Sequence, residues 1–298
     1  MKNQIPIKTL REDRPTPKRF ELAQPFLKWA GGKRQLLNEI RSYLPKEFGA
    51  YFEPFIGAGA VLFDLQPCQA TINDTNGELV NCYRVIKDAP EALIEAALKH
   101  QPSKEHYYAI RELDRDKIKF NALSEVERAA RIIFLNKTCF NGLFRVNSRG
   151  HFNVPFGDYA QPKIVDPQTI RAISGYLNAA EVSILHGDFE DAVAAATKGD
   201  LIYFDPPYDP LSDTSSFTGY SANSFGREQQ QRLKVLADRL IDRGCFVLLS
   251  NSATEFIREL YNDNRYVTVE VAASRNINSV GSKRQKISEL LIFNQPPS

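Results

Sequence analysis

Leu201 to Phe204 is a short apolar run cut off by Asp205-Pro206-Pro207-Tyr208, with a polar stretch from Asp209 to Gly226 behind it. Short, apolar and aromatic, and stopped by prolines, it predicts a buried strand. Similar strands are predicted within Ala50–Gly59 and at Ala70–Ile72, Glu181–His186, Cys245–Leu249, Tyr266–Ala272 and Ile287–Phe293. Helical patterns separate them at Lys33–Leu44, Ala60–Leu65, Pro167–Leu177, Arg227–Asp242 (closed by Gly244) and Thr254–Tyr261. Such alternation predicts a Rossmann-type α/β sheet, closed by an antiparallel hairpin of the last two strands. It is broken once, from about residue 77 to 164, by helices at Gly77–Lys87, Pro90–His100, Lys104–Leu113 and Ser124–Asn136. Ser124 and Glu127 form a capping box there. The prediction is an α/β sheet with a mostly helical insertion.

The strand ends carry the chemistry. Asp205 falls where open α/β sheets bind ligands. Pro206 and Pro207 stiffen the turn and remove two donors, which leaves the Pro206 carbonyl to accept from elsewhere. Tyr208 adds a flat face. Two acceptors and a ring face suit a planar heterocycle with an exocyclic amino group; a proline-rich turn capped by its Asp is the plainer alternative. Phe55-Ile-Gly57-Ala-Gly59 makes a turn that either admits a nucleoside-like ligand or is simply tight. Asp74 either holds ribose hydroxyls or caps the helix near Gly77. Asp188 can cap the helix near Phe189 or accept from an adenine amino group while Phe189 packs on the ring. Gly31-Gly32-Lys33 lacks the spacing of a phosphate loop.

Within the insertion, Asn147-Ser-Arg149-Gly150 predicts a turn between strands Leu143–Val146 and His151–Val154. Its arginines, amides and aromatics suit the reading of a nucleic-acid groove and the unstacking of a base step; a plain packed hairpin is the alternative. The net charge of +2 is too small to announce a nucleic-acid binder. Local clustering says more: Lys104, Arg111, Arg115, Lys117, Lys119, Arg128, Arg131, Lys137, Arg145 and Arg149 share one stretch, with acids interspersed. Cys68, Cys82, Cys139 and Cys245 have no paired-ligand spacing, so neither a metal site nor a disulfide framework is expected, and a reducing cytoplasm is the simple inference. Residues 1–23 read as a flexible extension. No apolar run is long enough to span a bilayer, so no membrane partner is expected.

Asp205-Pro-Pro-Tyr208 at a strand end resembles the catalytic tetrad of amino-methyltransferases that use S-adenosylmethionine. Together with Phe26-Leu-Lys-Trp-Ala-Gly-Gly-Lys33, Phe55–Gly59, Asn141–Gly157 and the Arg275–Leu291 segment, all in one order, it makes the chain similar to the DNA adenine methyltransferases that modify GATC. The likeness covers about residues 25–293. It implies a methyltransferase fold in which residues 24–76 and 165–298 bind S-adenosylmethionine and catalyse, and residues 77–164 recognise double-stranded DNA. Trp29 and Lys33 would line the cofactor pocket, the Phe55–Gly59 turn would hold the methionine part, Asp74 the ribose, and Asp188 and Phe189 the adenine. Asp205 would lie between cofactor and target base. Asn141 and Leu143 resemble residues that wedge into DNA, Arg145 the guanine reader, and Pro155 and Tyr159 further base-side positions; Asn147 and Arg149 join them at the turn. Asp158 stands where a basic residue is common, and Phe140 replaces a frequent tyrosine. A monomer is expected, with a cognate restriction endonuclease as the partner such an enzyme can have. The rival readings are a methyltransferase acting on RNA or on a glutamine amide, and a non-catalytic DNA-binding regulator.

Overall fold

The computed structural model describes residues 19–29, 31–210, 225–274 and 286–294. Seven strands form one sheet: β1 (Tyr51–Glu53), β2 (Gln69–Asp74), β3 (Glu181–His186), β4 (Leu201–Phe204), β5 (Phe246–Ser252), β6 (Val267–Ser274) and β7 (Lys286–Phe293), in the order β3-β2-β1-β4-β5-β7-β6. The first five are parallel, and β7 runs antiparallel between β5 and β6. This is the Rossmann-like arrangement read from the alternation. The order reverses between β1 and β4, and the crevice outside their carboxyl ends is where such sheets bind ligands.

β4 is paired on both sides and buried at all its residues, which is why its sequence is apolar throughout rather than alternating. Its side chains still divide by the strand's period of two. Leu201 and Tyr203 face one core, shared with Tyr51, Ala70 and Ile72; Ile202 and Phe204 face the other, with Phe52, Val247 and Leu249.

The helices are α1 (Leu37–Ser42), α2 (Ala60–Leu65), α3 (Gly77–Asp88), α4 (Pro90–Leu98), α5 (Lys104–Glu112), α6 (Lys117–Asn121), α7 (Glu125–Thr138), α8 (Pro167–Ala179), α9 (Phe189–Ala192), α10 (Arg227–Asp242) and α11 (Glu255–Leu260). The capping box at Ser124 and Glu127 starts α7 as expected. Gly244, at φ +86°, follows the end of α10. Leu79, Tyr83 and Ile86 of α3, Leu93 of α4 and Ile132 of α7 enter the first core beside the strands, so part of the insertion is built into the sheet's own packing.

Several expectations need correction. The Lys33–Leu44 helix is a 3-10 turn, Lys33–Leu36, followed by the short α1. β5 runs on through Ser250, Asn251 and Ser252, because β7 offers them a partner edge at Leu291, Leu290 and Glu289. The hairpin has isolated bridges, Val146 with Phe152 and Cys139 with Phe156, rather than two regular strands. The physical reason is competition: Val154 O accepts from the Tyr107 hydroxyl (2.8 Å), and Phe152 N donates to Asp114 Oδ2 (2.8 Å), so the return arm is held by the helical platform. At the end of the expected extension, Phe20 packs edge-on against Tyr176 (6.4 Å) and Ala23 is buried. The polar stretch Asp209–Gly226 and the Arg275–Leu291 segment lie mainly outside the described residues.

Candidate active site

Asp205 leaves β4 at the crevice with its side chain 21% exposed, and Lys33, 3% exposed, meets it at 2.8 Å from Nζ to Oδ1. The same ammonium donates to Gly31 O (2.6 Å) and lies 4.8 Å from the centre of the Tyr208 ring. The Tyr208 hydroxyl donates to Glu289 Oε2 at 2.8 Å, from the buried edge of β7. Burial pushes the Asp205 carboxyl above its ordinary range, and Lys33 opposes that shift. Glu53, at the end of β1, is almost fully buried and accepts from the Tyr51 hydroxyl at 2.8 Å. Burial pushes its carboxyl well up, which favours the protonated form. No donor among the described residues reaches the Pro206 carbonyl, whereas that of Pro207 accepts from Gln230 Nε2 (2.9 Å).

Between these strand ends lies a cavity lined by Trp29, Lys33, Glu53, Gly57, Gly59 and Asp205, among others. Its floor is the glycine turn. Gly57 and Gly59 both have positive φ, and a Cβ on Gly57 would sit 3.0 Å from Trp29 Cδ1. Trp29 in turn stacks on Phe144 (5.0 Å between centroids), so one indole joins the cavity wall to the hairpin region.

The other expected cofactor residues are placed differently. Asp74 braces the turn, accepting from Gly57 N (3.2 Å) and Asn76 N (2.9 Å); the cap of α3 is Asn76, not Asp74. Phe55 stacks on Phe189 (5.4 Å), and Phe189 is buried under the Arg232 guanidinium. Asp188 caps α9 through Glu190 N and holds Arg232 at 2.6 Å. Phe55, Asp74, Asp188 and Phe189 thus lie outside the cavity lining.

On the hairpin, Arg145 is exposed and rests its Nε on Asn153 Oδ1 (2.7 Å). Asn147 builds the turn, its Oδ1 accepting from Arg149 N (3.0 Å) and His151 N (3.1 Å), so its oxygen is engaged internally; Arg149 is exposed. Asn141 is exposed at φ +56°. Leu143, expected as a wedge, packs into a small core with Tyr107, Phe134 and Phe152, while Phe140 is 44% exposed. Pro155 is exposed, its carbonyl accepting from Phe140 N (2.9 Å), and Tyr159 carries Lys28 Nζ 4.9 Å from its ring centre. Of the basic cluster, Arg111, Arg115, Lys119, Arg128 and Arg131 are ion-paired with acids in the same region or on α3. Much of that charge is structural.

The family model of the D12 class N6 adenine-specific DNA methyltransferases matches residues 29–277, most of the chain. The chain belongs to this family. It is 50% identical over 273 residues to the Type II methyltransferase M1.LlaDCHI of Lactococcus lactis subsp. cremoris, covering 91% of this chain and 95% of that protein. It is 44% identical to the Type II methyltransferase M.MjaIII of Methanocaldococcus jannaschii (91% and 99% covered), and 36% identical to the DNA adenine methylase of Escherichia coli K12 (91% and 95%). The protein is therefore an adenine-specific DNA methyltransferase, which sets aside the RNA, glutamine and regulator readings. Among the described residues there is no acid, His or Cys cluster fit for a metal, and no helix long and apolar enough to cross a membrane.

For this methyltransferase, sequence reasoning missed Glu53 and Glu289. Glu53 carried a usable signal: like Asp205 it is an acid that ends a short strand just before a proline. Glu289 carried none, because only sheet pairing brings β7 against the tetrad.

Proposed function

We propose that this methyltransferase uses S-adenosylmethionine to methylate N6 of an adenine turned out of duplex DNA, within GATC. The observation that carries the reading is the acceptor Asp205 held by Lys33 at the lip of a cavity floored by bare glycines. The residues lining the cavity suit that cofactor: its turn is kept free of side chains where an indole closes in, and the Asp205 carboxylate suits a cationic sulfonium. Trp29, Lys33, Gly57 and Gly59 would hold it; Asp74 would act through the turn it braces. When bound, S-adenosylmethionine supplies an electrophilic methyl group.

The chain's own part is to prepare the amine. The adenine must leave the stack because its amino nitrogen is buried in pairing. Asp205 and the Pro206 carbonyl accept the two amino hydrogens, which withdraws the nitrogen lone pair from the ring, and Tyr208 stacks on the base. These acceptors are fixed beforehand and oppose the charge that develops on nitrogen at little reorganisation cost. The released proton moves toward the Asp205 carboxylate. Residues 77–164 supply recognition: Arg145 reads guanine, and Asn141 and the exposed Phe140 enter the duplex, with Pro155 and Tyr159 alongside. The likeness of the Asn141–Gly157 segment to GATC-modifying enzymes supports the site.

Sequencing of unmethylated DNA after incubation with enzyme and cofactor tests this directly. N6-methyladenine confined to GATC is expected; another motif would reject the assigned site. 2-Aminopurine at the target should brighten on binding, and an unchanged signal would count against extrusion.

Two substitutions probe the assigned roles. Arg145→Ala should relax discrimination at the guanine by about 1–3 kcal/mol in competition between cognate and substituted duplexes; unchanged discrimination would move the reader elsewhere. Lys33→Met removes the charge that opposes the upward shift of Asp205. The accepting carboxylate exists only above the carboxyl's pKa in the folded enzyme, so activity is lost as pH falls through it. The acid limb of the rate profile should therefore move to higher pH, and a limb that stays in place would deny Lys33 that role.

A further inference from the structure

Asp209 and the turn before it are held by a set of fully buried polar groups outside the cofactor cavity. Gln230 of α10 and Asn251 of β5 both have 0% exposure. Gln230 Nε2 donates to Pro207 O at 2.9 Å, and its Oε1 accepts from Asn251 Nδ2 at 3.0 Å. Asn251 Oδ1 accepts from Asp209 N at 3.2 Å and from Ser252 N at 2.9 Å. The Ser252 hydroxyl closes the set by donating to Asp209 O at 2.6 Å.

The direction of this relay is fixed by chemistry. A carbonyl at Pro207 can only accept, so Gln230 must present its nitrogen there. The Asp209 N–H can only donate, so Asn251 must present its oxygen. Gln230 oxygen then faces Asn251 nitrogen, and both amides are oriented without ambiguity. Prolines at 206 and 207 leave the turn without two of its own backbone donors, so it lacks the usual means of fixing itself. Side chains from α10 and β5 supply what the prolines remove. The two proline carbonyls are thereby distinguished: that of Pro207 is tied to the scaffold, whereas that of Pro206 meets no donor among the described residues.

We infer that Gln230 and Asn251 are positioning residues for methyl transfer, a buried amide relay that grips both ends of Pro207–Asp209 and presets the tetrad turn. The inference rests on the role proposed above for the tetrad. Neither residue touches the cavity, so the relay acts on the rate of the chemical step rather than on binding. A displacement of the order of an ångström at an acceptor is enough to slow such a step by about a hundredfold.

The test is single-turnover methyl transfer with duplex DNA and cofactor already bound, run for Gln230→Met, Gln230→Glu and Asp205→Ala, with thermal melting and DNA affinity measured alongside. Gln230→Met keeps the shape and removes both polar atoms. It should slow transfer by roughly 10–100-fold with DNA affinity within about twofold of wild type. In Gln230→Glu the introduced carboxyl repels the Pro207 carbonyl when ionised but donates to it when protonated. That variant should regain rate, relative to wild type, as pH is lowered from about 8 to about 6. A scaffold role alone gives no such rescue. Wild-type rates in both variants at every pH, or losses that follow the folded fraction or DNA affinity, would overturn the relay. If Gln230→Met does not fold, the pH response of Gln230→Glu decides. Normal transfer by Asp205→Ala would instead reject the tetrad reading itself; an inactive Asp205→Ala beside normal Gln230 variants would reject the relay alone.

Discussion

Asp205→Ala is expected to cut single-turnover methyl transfer by about a thousandfold or more while leaving duplex affinity nearly unchanged. On the mechanism proposed above, the substitution removes one of two acceptors for the amino hydrogens, the carboxylate that Lys33 holds at 2.8 Å. On the proposed mechanism its effect falls on the charge that develops at nitrogen, not on recognition of the duplex, which that reading assigns to residues 77–164. Lys33 would be left 3% exposed without its counter-charge, so melting must accompany the rate measurement. Asp205→Asn provides the contrast, because it keeps an acceptor and loses only the charge; its rate should fall between alanine and wild type. A radiolabelled-methyl assay in which Asp205→Ala turns over normally would remove the residue from the mechanism.

The second large effect lies away from the cavity, at Asp114. Its carboxylate accepts from Phe152 N (2.8 Å) and pairs with Arg131 (2.8 Å), and the side chains are 11% and 3% exposed. Arg131 also donates to the carbonyls of Ile110 and Arg111 at 3.0 Å, and Arg115 to that of Phe152 at 3.2 Å. The half-buried Asp114 thus ties the return arm of the hairpin to Arg131 of α7, beside the Tyr107 bond to Val154 O. Removing one member of a buried pair leaves the other uncompensated at a cost of about 3–5 kcal/mol. The carbonyl bonds to Arg131 place Asp114→Ala near the lower end of that range. Its melting temperature should fall by several degrees. Guanine discrimination should weaken too, because Arg145 rests on Asn153 of the same arm. Asp114→Asn, which can still accept from Phe152 N, should recover part of both. An unchanged melting curve for Asp114→Ala would show that the hairpin stands without this anchor.

Both predictions concern contacts between distant parts of the chain, and that is where sequence reasoning ran short. The β4 strand, the Ser124–Glu127 box and the Gly244 stop could all be read because each signal is complete within a few residues. The turn after β1 was legible for the same reason, as positive φ at Gly57 and Gly59 is a local demand. The half-burial of Leu143 was not legible because it depends on α5 and α7 folding beneath it. Phe140, one of the exposed residues beside it, could not be told apart by type. The basic cluster misled likewise: which arginines are free to meet phosphate depends on which acids lie opposite them, and Arg128 finds Glu78 on α3.

From its residue order alone, then, this protein's alternating strands and helices, the crevice position of Asp205 and its family likeness were already decided. Hydrophobic period, proline stops and capping chemistry act over one or two turns of chain, and they need no knowledge of what packs against them. The pairing of Lys33 with Asp205, the seat of Tyr208 on Glu289, the clamp at Asp114 and the amide relay behind the tetrad were decided only by tertiary packing. Each joins groups from separate elements, and hydrogen bonds and ion pairs have a reach of about 3 Å, so no pattern along the sequence can declare them before packing has set the distances.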